Sequence, residues 1–303
     1  MVAVLALALA AAATASTSRT GVSGKISADG SSTVGPYVSP AAERFERRNS
    51  GAQITVGISG TGGGFERFCR GETDLSNASR PIKQSEATKC REAGIRYIAF
   101  LVANDGLSIV VNKGVTWINC ITTAELKKIW DRGSTVNNWS QVRDGFPNVP
   151  LKLYGPGTDS GTFDFFTEKI NGTAKRSRSD YTASEDDNVL VRGVEGDRGA
   201  MGYFGFSYYV ENKDRLKLLR VNNGSTCVAP SIASVQAGTY KPLSRPLFVY
   251  AKRTSFQRAV VRAFIKYMIL NERTIARASR YVPLTKAQIR KAKRQYNNAI
   301  KGR

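Results

Sequence analysis

Short apolar runs alternate with segments of helical periodicity along most of this sequence. Residues 25–28 and 53–58 are predicted as strands, and residues 36–48 between them place apolar and charged side chains at helical spacing. The runs at 97–102 and 107–112 predict two further strands. This alternation is typical of an α/β architecture with largely parallel sheets.

The second half of the chain repeats the pattern. A strand at 151–154 precedes a helix at 163–170, the small residues within 200–206 indicate a buried strand, and 247–251 is another. From residue 254 onward the pattern is helical. A chain of 303 residues is long enough for one large domain or for two domains of ordinary size.

The first residues have features of an export signal. Residues 2–15 are apolar but too few to span a bilayer as a helix, and residues 13–15 form a small-x-small site before Ser16. The basic residues that usually precede such a run are missing, because the run begins directly after Met1. We predict that residues 1–15 form a signal-peptide-like segment and that the protein is exported, to a periplasm or to the cell surface.

Positive charge is the unusual feature of the composition. The formal net charge is +21, and residues 251–303 contain 15 Lys and Arg against one acid, Glu272. A charge of this size favours anionic partners, whether a small anion, lipid head groups or nucleic acid. A solvated basic helix surface also accounts for the C-terminal charge, and we expect no nucleic acid partner.

The chain contains no histidine. This removes the commonest general base, the commonest metal ligand and the usual partner of a nucleophilic Ser or Cys. We therefore expect a protein that is not an enzyme and that uses neither a metal nor a cofactor.

The chain has four cysteines, Cys69, Cys90, Cys120 and Cys227. An even number in an exported chain favours two disulfides, for which three pairings are possible. Cys69–Cys90 would close a short local loop, so we favour that pair together with Cys120–Cys227. Zinc is the competing interpretation, but neither a CxxC motif nor a histidine supports it.

Three predicted strands end in turns that are rich in Gly, Ser and Thr and that lead into helices. These turns are residues 30–33, 59–64 and 159–162. A helix N-terminus exposes unpaired N–H groups, glycine lets the backbone approach a ligand closely, and a hydroxyl adds a donor. Each turn alone also suits an ordinary helix cap, but three at strand ends predict an oxyanion site. None matches the nucleotide-binding patterns GxxxxGK[ST] or GxGxxG.

Arg80 is the candidate cation of this site. It follows a short strand predicted at 74–79. Its guanidinium fork suits bidentate contact with an oxyanion, although an Arg before Pro81 is equally compatible with a plain surface position.

Five segments carry a family resemblance. They are DGSSTVGP at 29–36, SGTGGGF at 59–65, residues 74–82, GTDSGTFDFF at 157–166, and residues 200–209. In this order they resemble the periplasmic phosphate-binding protein of the phosphate ABC transporter. The resemblance implies an α/β, two-lobed periplasmic-binding-protein (type II) fold, in which each lobe is a mixed sheet flanked by helices and the ligand cleft lies between lobes. It implies one lobe at 25–104 plus 240–303 and a second lobe at 105–239.

The resemblance also implies a ligand and a partner. The two lobes would close around inorganic phosphate, and the protein, expected to be a monomer, would deliver it to the membrane permease of an ABC transporter. The implied donors are Ser32, Thr33 and Thr61 on one side of the cleft and Ser160, Gly161 and Thr162 on the other.

The chain departs from the family's best-known pattern at two positions. Where those members carry an Asp that accepts the ligand's proton, this chain has Arg80, and where they carry an Arg, it has Pro156. The positive charge has moved to Arg80, as in the related subgroup with an SRP signature, and Asp159 is the candidate replacement acceptor.

Loss of that Asp keeps a second ligand class open. In those family members the buried Asp would have no hydrogen-bond partner if sulfate bound, because sulfate has no proton to donate, and this disfavours sulfate. A chain without that Asp could therefore be a general oxyanion receptor. A secreted phosphatase and a polyanion-binding adhesion protein are two further hypotheses, and the absence of histidine weighs against the phosphatase.

Overall fold

The structure is a computed structural model that describes residues 21–31, 33–158, 160–184 and 186–302. The signal-peptide-like segment and the predicted site residues Ser32 and Asp159 lie outside the described residues. Among the helices of the described ranges, none combines the length and the apolar character that crossing a membrane requires.

The strands assemble into one nine-stranded sheet and one small sheet. They are β1 Gly24–Gly30, β2 Ala52–Val56, β3 Leu75–Ala78, β4 Tyr97–Asn112, β5 Cys120–Thr122, β6 Lys152–Pro156, β7 Thr182–Ser184, β8 Ala200–Gly205, β9 Leu216–Leu218, β10 Arg220–Asn222, β11 Cys227–Val228 and β12 Ser244–Lys252. The large sheet has the order β2-β1-β3-β12-β4-β8-β6-β7, with β9 paired to β4, and the small sheet has the order β11-β10-β5.

The sheet is mixed rather than largely parallel. Strands β1, β2 and β3 pair in parallel, as do β6, β7 and β8. Strand β12 is antiparallel to both of its neighbours, and β4 is antiparallel to β8 and β9. The alternation of strands and helices along the sequence predicts the parallel units. It cannot predict that β12, which comes late in the chain, lies between β3 and β4.

Strand β4 joins the two halves of the sheet. The sequence pattern predicts two strands, at 97–102 and 107–112, whereas the structure has one strand of 16 residues. Its first part pairs with β12 as far as Gly106, and its second part pairs with β8 from Leu107 onward. Sixteen extended residues reach roughly 50 Å, so this strand is long enough to serve both halves.

The helices cover the sheet. They are α1 Gly35–Glu46, α2 Gly60–Cys69, α3 Gln84–Glu92, α4 Thr123–Trp130, α5 Gly161–Phe166, α6 Asp187–Gly196, α7 Phe206–Glu211, α8 Ile232–Ala237, α9 Arg253–Phe256, α10 Ala259–Leu270, α11 Glu272–Ala278 and α12 Lys286–Ile300, with a 3₁₀ turn at Trp139–Gln141. The helix predicted at 163–170 is α5 followed by a π-helical turn, Thr167–Asn171.

Two large hydrophobic cores lie on either side of the middle of β4. One takes its buried residues from 26–103 and 247–296. The other takes them from 107–243 and adds Val282. The lobe bounds of 25–104 plus 240–303 and of 105–239 remain a prediction, which this division of the cores supports.

Two disulfides fasten peripheral elements. Cys69–Cys90 joins the end of α2 to α3, and Cys120–Cys227 joins β5 to β11 in the small sheet. This agrees with the favoured pairing. Zinc binding by these cysteines does not fit the structure, because all four sulfurs are bonded in pairs.

Glu272 is a buried carboxylate beside the first core. Glu272 is 2% exposed, one of its oxygens accepts a hydrogen bond from Leu284 N at 2.7 Å, and its Oε2 has no partner among the described residues. Burial raises the pKa of Glu272 to about 7. The folded state therefore favours the protonated acid below that pH. The hydroxyl of Tyr37 also lacks a partner within the described ranges, and its pKa is raised first by its own burial and second by the Glu272 carboxylate.

We expect Glu272→Gln to flatten the dependence of stability on pH. Below the unfolded-state pKa of about 4.5 both states hold the proton, and as pH rises toward 7 only the unfolded state loses it. Between pH 5 and pH 8 wild-type stability should fall by on the order of 2 kcal/mol through this group. Urea unfolding at both pH values measures the effect, and an equal fall in the Gln variant would contradict it.

Candidate oxyanion site

The three turns predicted from the sequence converge on one cavity. It encloses about 270 Å³ beside the middle of the large sheet. Its lining includes Ser31, Thr33, Gly60, Thr61, Gly62, Ser79, Arg80, Lys83, Gly161, Asp164, Phe165, Glu168, Ala174 and Arg245. Of the predicted ligands, it brings together Thr33, Thr61, Arg80 and Gly161.

The first turn follows β1. Gly30 has φ +137°, and a Cβ there would lie 2.2 Å from Asn77 O, so only glycine fits this strand end. Ser31 N donates to the same carbonyl at 2.9 Å. The turn then leads into α1, and it leaves Thr33 buried at the wall of the cavity.

The second turn begins α2. Thr61 lies in the first turn of this helix, and its hydroxyl oxygen accepts a hydrogen bond from Ser79 N at 3.2 Å. The Thr61 and Ser79 hydroxyls are 3.1 Å apart. This pair fixes the end of β3 against the N-terminus of α2, so hydroxyls from two elements face one cavity.

The third turn begins α5. Ser160 caps the helix, because its hydroxyl accepts from Thr162 N at 3.1 Å. Gly161 lines the cavity, whereas Ser160 and Thr162 line an adjoining cavity of about 440 Å³ that also includes Thr33 and Gly161. The structure therefore places these two predicted ligands next to the first cavity rather than on its wall.

Arg80 is held by an acid. Its guanidinium forms two hydrogen bonds with Glu86, at 2.7 and 2.8 Å, and it lies 5.8 Å from the Phe65 ring centre. These hydrogen bonds raise the pKa of Arg80. Burial opposes ionisation of Glu86, but the hydrogen bonds from Arg80 and from Lys83 N hold its pKa below the usual value. The pairing orients the guanidinium at the cavity wall.

A second arginine reaches the cavity, and the sequence analysis missed it. Arg245 at the start of β12 is 8% exposed and pairs with buried Asp105 at 3.1 Å. Its Nη2 donates to Thr33 Oγ1 at 2.7 Å and to Gly161 O at 3.2 Å. Burial raises the pKa of Asp105, against the opposing pull of the Arg245 guanidinium. The available signal was a charged residue just before the apolar strand predicted at 247–251, since a charge that becomes buried there requires a partner.

Two acids on the helix side of the cavity were also missed. Asp164 lies in the first turn of α5, and Glu168 follows in the π-helical turn. The sequence analysis chose Asp159, which lies outside the described residues. Within the described ranges, no cluster of acidic or cysteine side chains is arranged to hold a metal ion.

Hydroxyl, backbone and guanidinium donors converge beside the strand that joins the two cores. This arrangement is that of a solute-binding protein for an oxyanion. Residues 13–272 match the family described as "PBP superfamily domain". The chain belongs to this superfamily and, within it, to the family of the SphX and PstS proteins.

Relatives and solved structures agree in this assignment. "Protein SphX" of Synechococcus elongatus is 52% identical, over 86% of this chain and 77% of that protein. "Phosphate-binding protein PstS" of Staphylococcus saprophyticus is 37% identical, over 87% of this chain and 81% of that protein. The crystal structure of "a possible phosphate binding protein" from Planctomyces limnophilus has a TM-score of 0.89 and 44% identity, covering 92% of this chain and 100% of the other. A phosphate transport receptor from Vibrio cholerae, with a TM-score of 0.66 and 19% identity over 86% of this chain and 100% of the other, shares the fold.

Two glycines of α2 offer a test of how closely this helix must approach the first turn. A Cβ at Gly64 would lie 2.4 Å from Gly30 Cα, whereas a Cβ at Gly62 would meet nothing within 4 Å. We expect Gly64→Ala to destabilise the fold by roughly 1–3 kcal/mol, because helix and strand must separate. Gly62→Ala should be neutral or stabilise by up to about 1 kcal/mol through helix propensity. Thermal unfolding of both variants measures this, and equal midpoints would show that the close approach is not required.

Proposed function

We propose that the protein binds inorganic phosphate outside the cytoplasm and delivers it to the permease of an ABC transporter. The observation that carries the proposal is the cavity in which Thr33, Thr61 and Gly161 meet Arg80 and Arg245. The 37% identical relative from Staphylococcus saprophyticus, named a phosphate-binding protein, supports phosphate as the ligand. Export is supported by the apolar segment at 2–15, which lies outside the described residues.

The hydroxyls of the cavity are prepared to donate. Thr33 Oγ1 already accepts from Arg245, and Thr61 Oγ1 accepts from Ser79 N. Thr33 therefore keeps its own hydroxyl proton for another acceptor, and the hydrogen-bonded Thr61 and Ser79 hydroxyls keep one proton between them. Phosphate oxygens would accept from these groups and from the backbone N–H groups at the start of α2 and α5.

Binding would draw the two halves together. Arg245 contacts Thr33 on one side and Gly161 on the other, and its guanidinium lies 3.9 Å from the Phe165 ring centre. An anion that contacts both sides only in the closed form shifts the population toward closure. The permease would then recognise the closed surface. No step in this cycle breaks or forms a covalent bond, so the proposal requires no catalytic residue.

Asp164 is our candidate for the group that recognises the proton of phosphate. Asp164 lines the cavity, so its carboxylate would be available to accept a hydrogen bond from the O–H of a bound hydrogen phosphate. Phosphate is protonated near neutral pH and sulfate is not. A carboxylate acceptor therefore stabilises the first ligand and repels the second.

We expect Arg80→Ala to weaken phosphate binding at least tenfold, because the anion loses an oriented countercharge. Isothermal titration calorimetry of protein stripped of ligand by unfolding and refolding measures the affinity. Arg70→Ala is the matched control, because Arg70 is exposed and, among the described residues, its ion pairs are with Glu66 and Glu72, which do not line the cavity. Unchanged affinity for Arg80→Ala would remove Arg80 from the site. Failure of the wild-type protein to bind phosphate would overturn the proposed function itself.

Asp164→Asn should reduce the preference for phosphate over sulfate at least tenfold, since the amide no longer repels a fully deprotonated anion. Separate calorimetric titrations with phosphate and sulfate give the ratio. Glu168→Gln makes the same charge change at the other acid of the lining, whose side chain is 42% exposed, and should alter both affinities together, leaving the ratio within about twofold. If the two variants shift the ratio equally, the effect is general electrostatics and Asp164 is not the acceptor.

A further inference from the structure

The strongest concentration of charge in the chain lies outside the oxyanion site. Helix α12 and its C-terminal cap carry six exposed cations, called here the basic face: Lys286, Arg290, Lys291, Lys293, Arg294 and Lys301. None of the six forms an ion pair with any residue that the structure describes, whereas the neighbouring Arg258 and Arg280 pair with Asp74 and Glu211. Residues 251–303 contain one acid, Glu272, and it is buried.

The basic face is the outward side of a well-anchored helix. Ala292 and Tyr296 of α12 are buried, and Tyr296 donates to Arg262 O at 3.2 Å. The opposite side of the helix therefore faces solvent, with Arg290, Arg294 and Lys301 at its centre by helical spacing. Fifteen residues make a helix about 22 Å long, so the cations form a dense and continuous row.

Aliphatic side chains lie at both ends of this row. Helix α10 packs antiparallel beside α12, since Met268 and Ile269 of α10 line the same internal gap as Ile289 of α12. At one end Leu270 is 58% exposed, and at the other end Ile300 is 53% exposed. The surface thus combines a row of cations with exposed aliphatic groups and no exposed acid from its own segment.

We propose that the basic face binds the surface of an anionic lipid bilayer. Clusters of four to eight Lys and Arg on a helix surface are attracted to anionic head groups, roughly in proportion to their number. Exposed Leu and Ile add contact area at the boundary between head groups and acyl chains.

The same surface is poorly suited to single-stranded nucleic acid. The large apolar side chains exposed within the described residues are all aliphatic, so the surface offers no aromatic ring on which bases would stack. The basic face also contributes no residue to the oxyanion cavity or to the adjoining one. Lipid binding is therefore independent of phosphate binding, and either can fail without the other.

Vesicle co-sedimentation of the full chain tests the proposal. We expect binding to phosphatidylcholine vesicles that contain about 30% phosphatidylglycerol, and at least tenfold weaker binding when salt rises from about 20 to about 300 mM. Vesicles of phosphatidylcholine alone measure any contribution from the apolar residues 2–15.

Charge reversal on the basic face supplies the decisive comparison. Arg290→Glu, Arg294→Glu and Lys301→Glu combined should weaken vesicle binding at least tenfold. The matched control, Lys113→Glu, Lys152→Glu and Lys213→Glu combined, makes the same change in net charge at exposed positions of the other half and should stay within about twofold of wild type. Unchanged phosphate affinity and thermal midpoint establish that both variants are folded.

Three results would overturn the proposal. In the first, the wild-type protein does not bind anionic vesicles at low salt. In the second, both triple variants lose vesicle binding equally. In the third, the protein binds duplex DNA tightly and the vesicles do not displace the DNA. The second would attribute binding to total charge alone, and the third would assign the face to nucleic acid.

Discussion

The arrangement of the site depends on one buried guanidinium. Arg245 pairs with Asp105 on the strand that joins the two halves of the sheet, and from there it reaches Thr33 and Gly161. A cation at this depth requires partners on every side, and removing one would leave the other charge uncompensated at a cost of several kcal/mol. The same contacts that satisfy Arg245 therefore set the relative position of the first turn and the start of α5.

The uninterrupted β4 strand makes this possible. Asn104 exchanges two backbone hydrogen bonds with Val282, and Asp105 follows it directly. The strand thus passes from one core to the other while presenting a carboxylate at the crossing point.

The sequence predicted the local units well and the long-range ones poorly. Strand–turn–helix units are encoded by residues close together in the chain, so the turns beginning α1, α2 and α5 could be found from spacing alone. Strand β4 was predicted as two strands because Asn104, Asp105 and Gly106 are typical turn residues. Their actual partners, Val282 and Arg245, lie far along the chain, and local pattern cannot indicate them. Asp164 was missed for a related reason, since an acid in the first turn of a helix is ordinary until the fold shows that it faces a cavity.

Charge balance in the cleft has a consequence for ionic conditions. Arg80 is paired with Glu86 and Arg245 with Asp105 before any ligand arrives, and both pairs are partly or wholly shielded from solvent. Buried pairs are screened much less than exposed charges, so the anion should enter a site whose local field changes little with salt. The unpaired cations of α12 are fully open to screening. With the basic face bound to lipid as proposed, a change in ionic strength would release the protein from the bilayer while leaving its capacity to hold the anion almost unchanged.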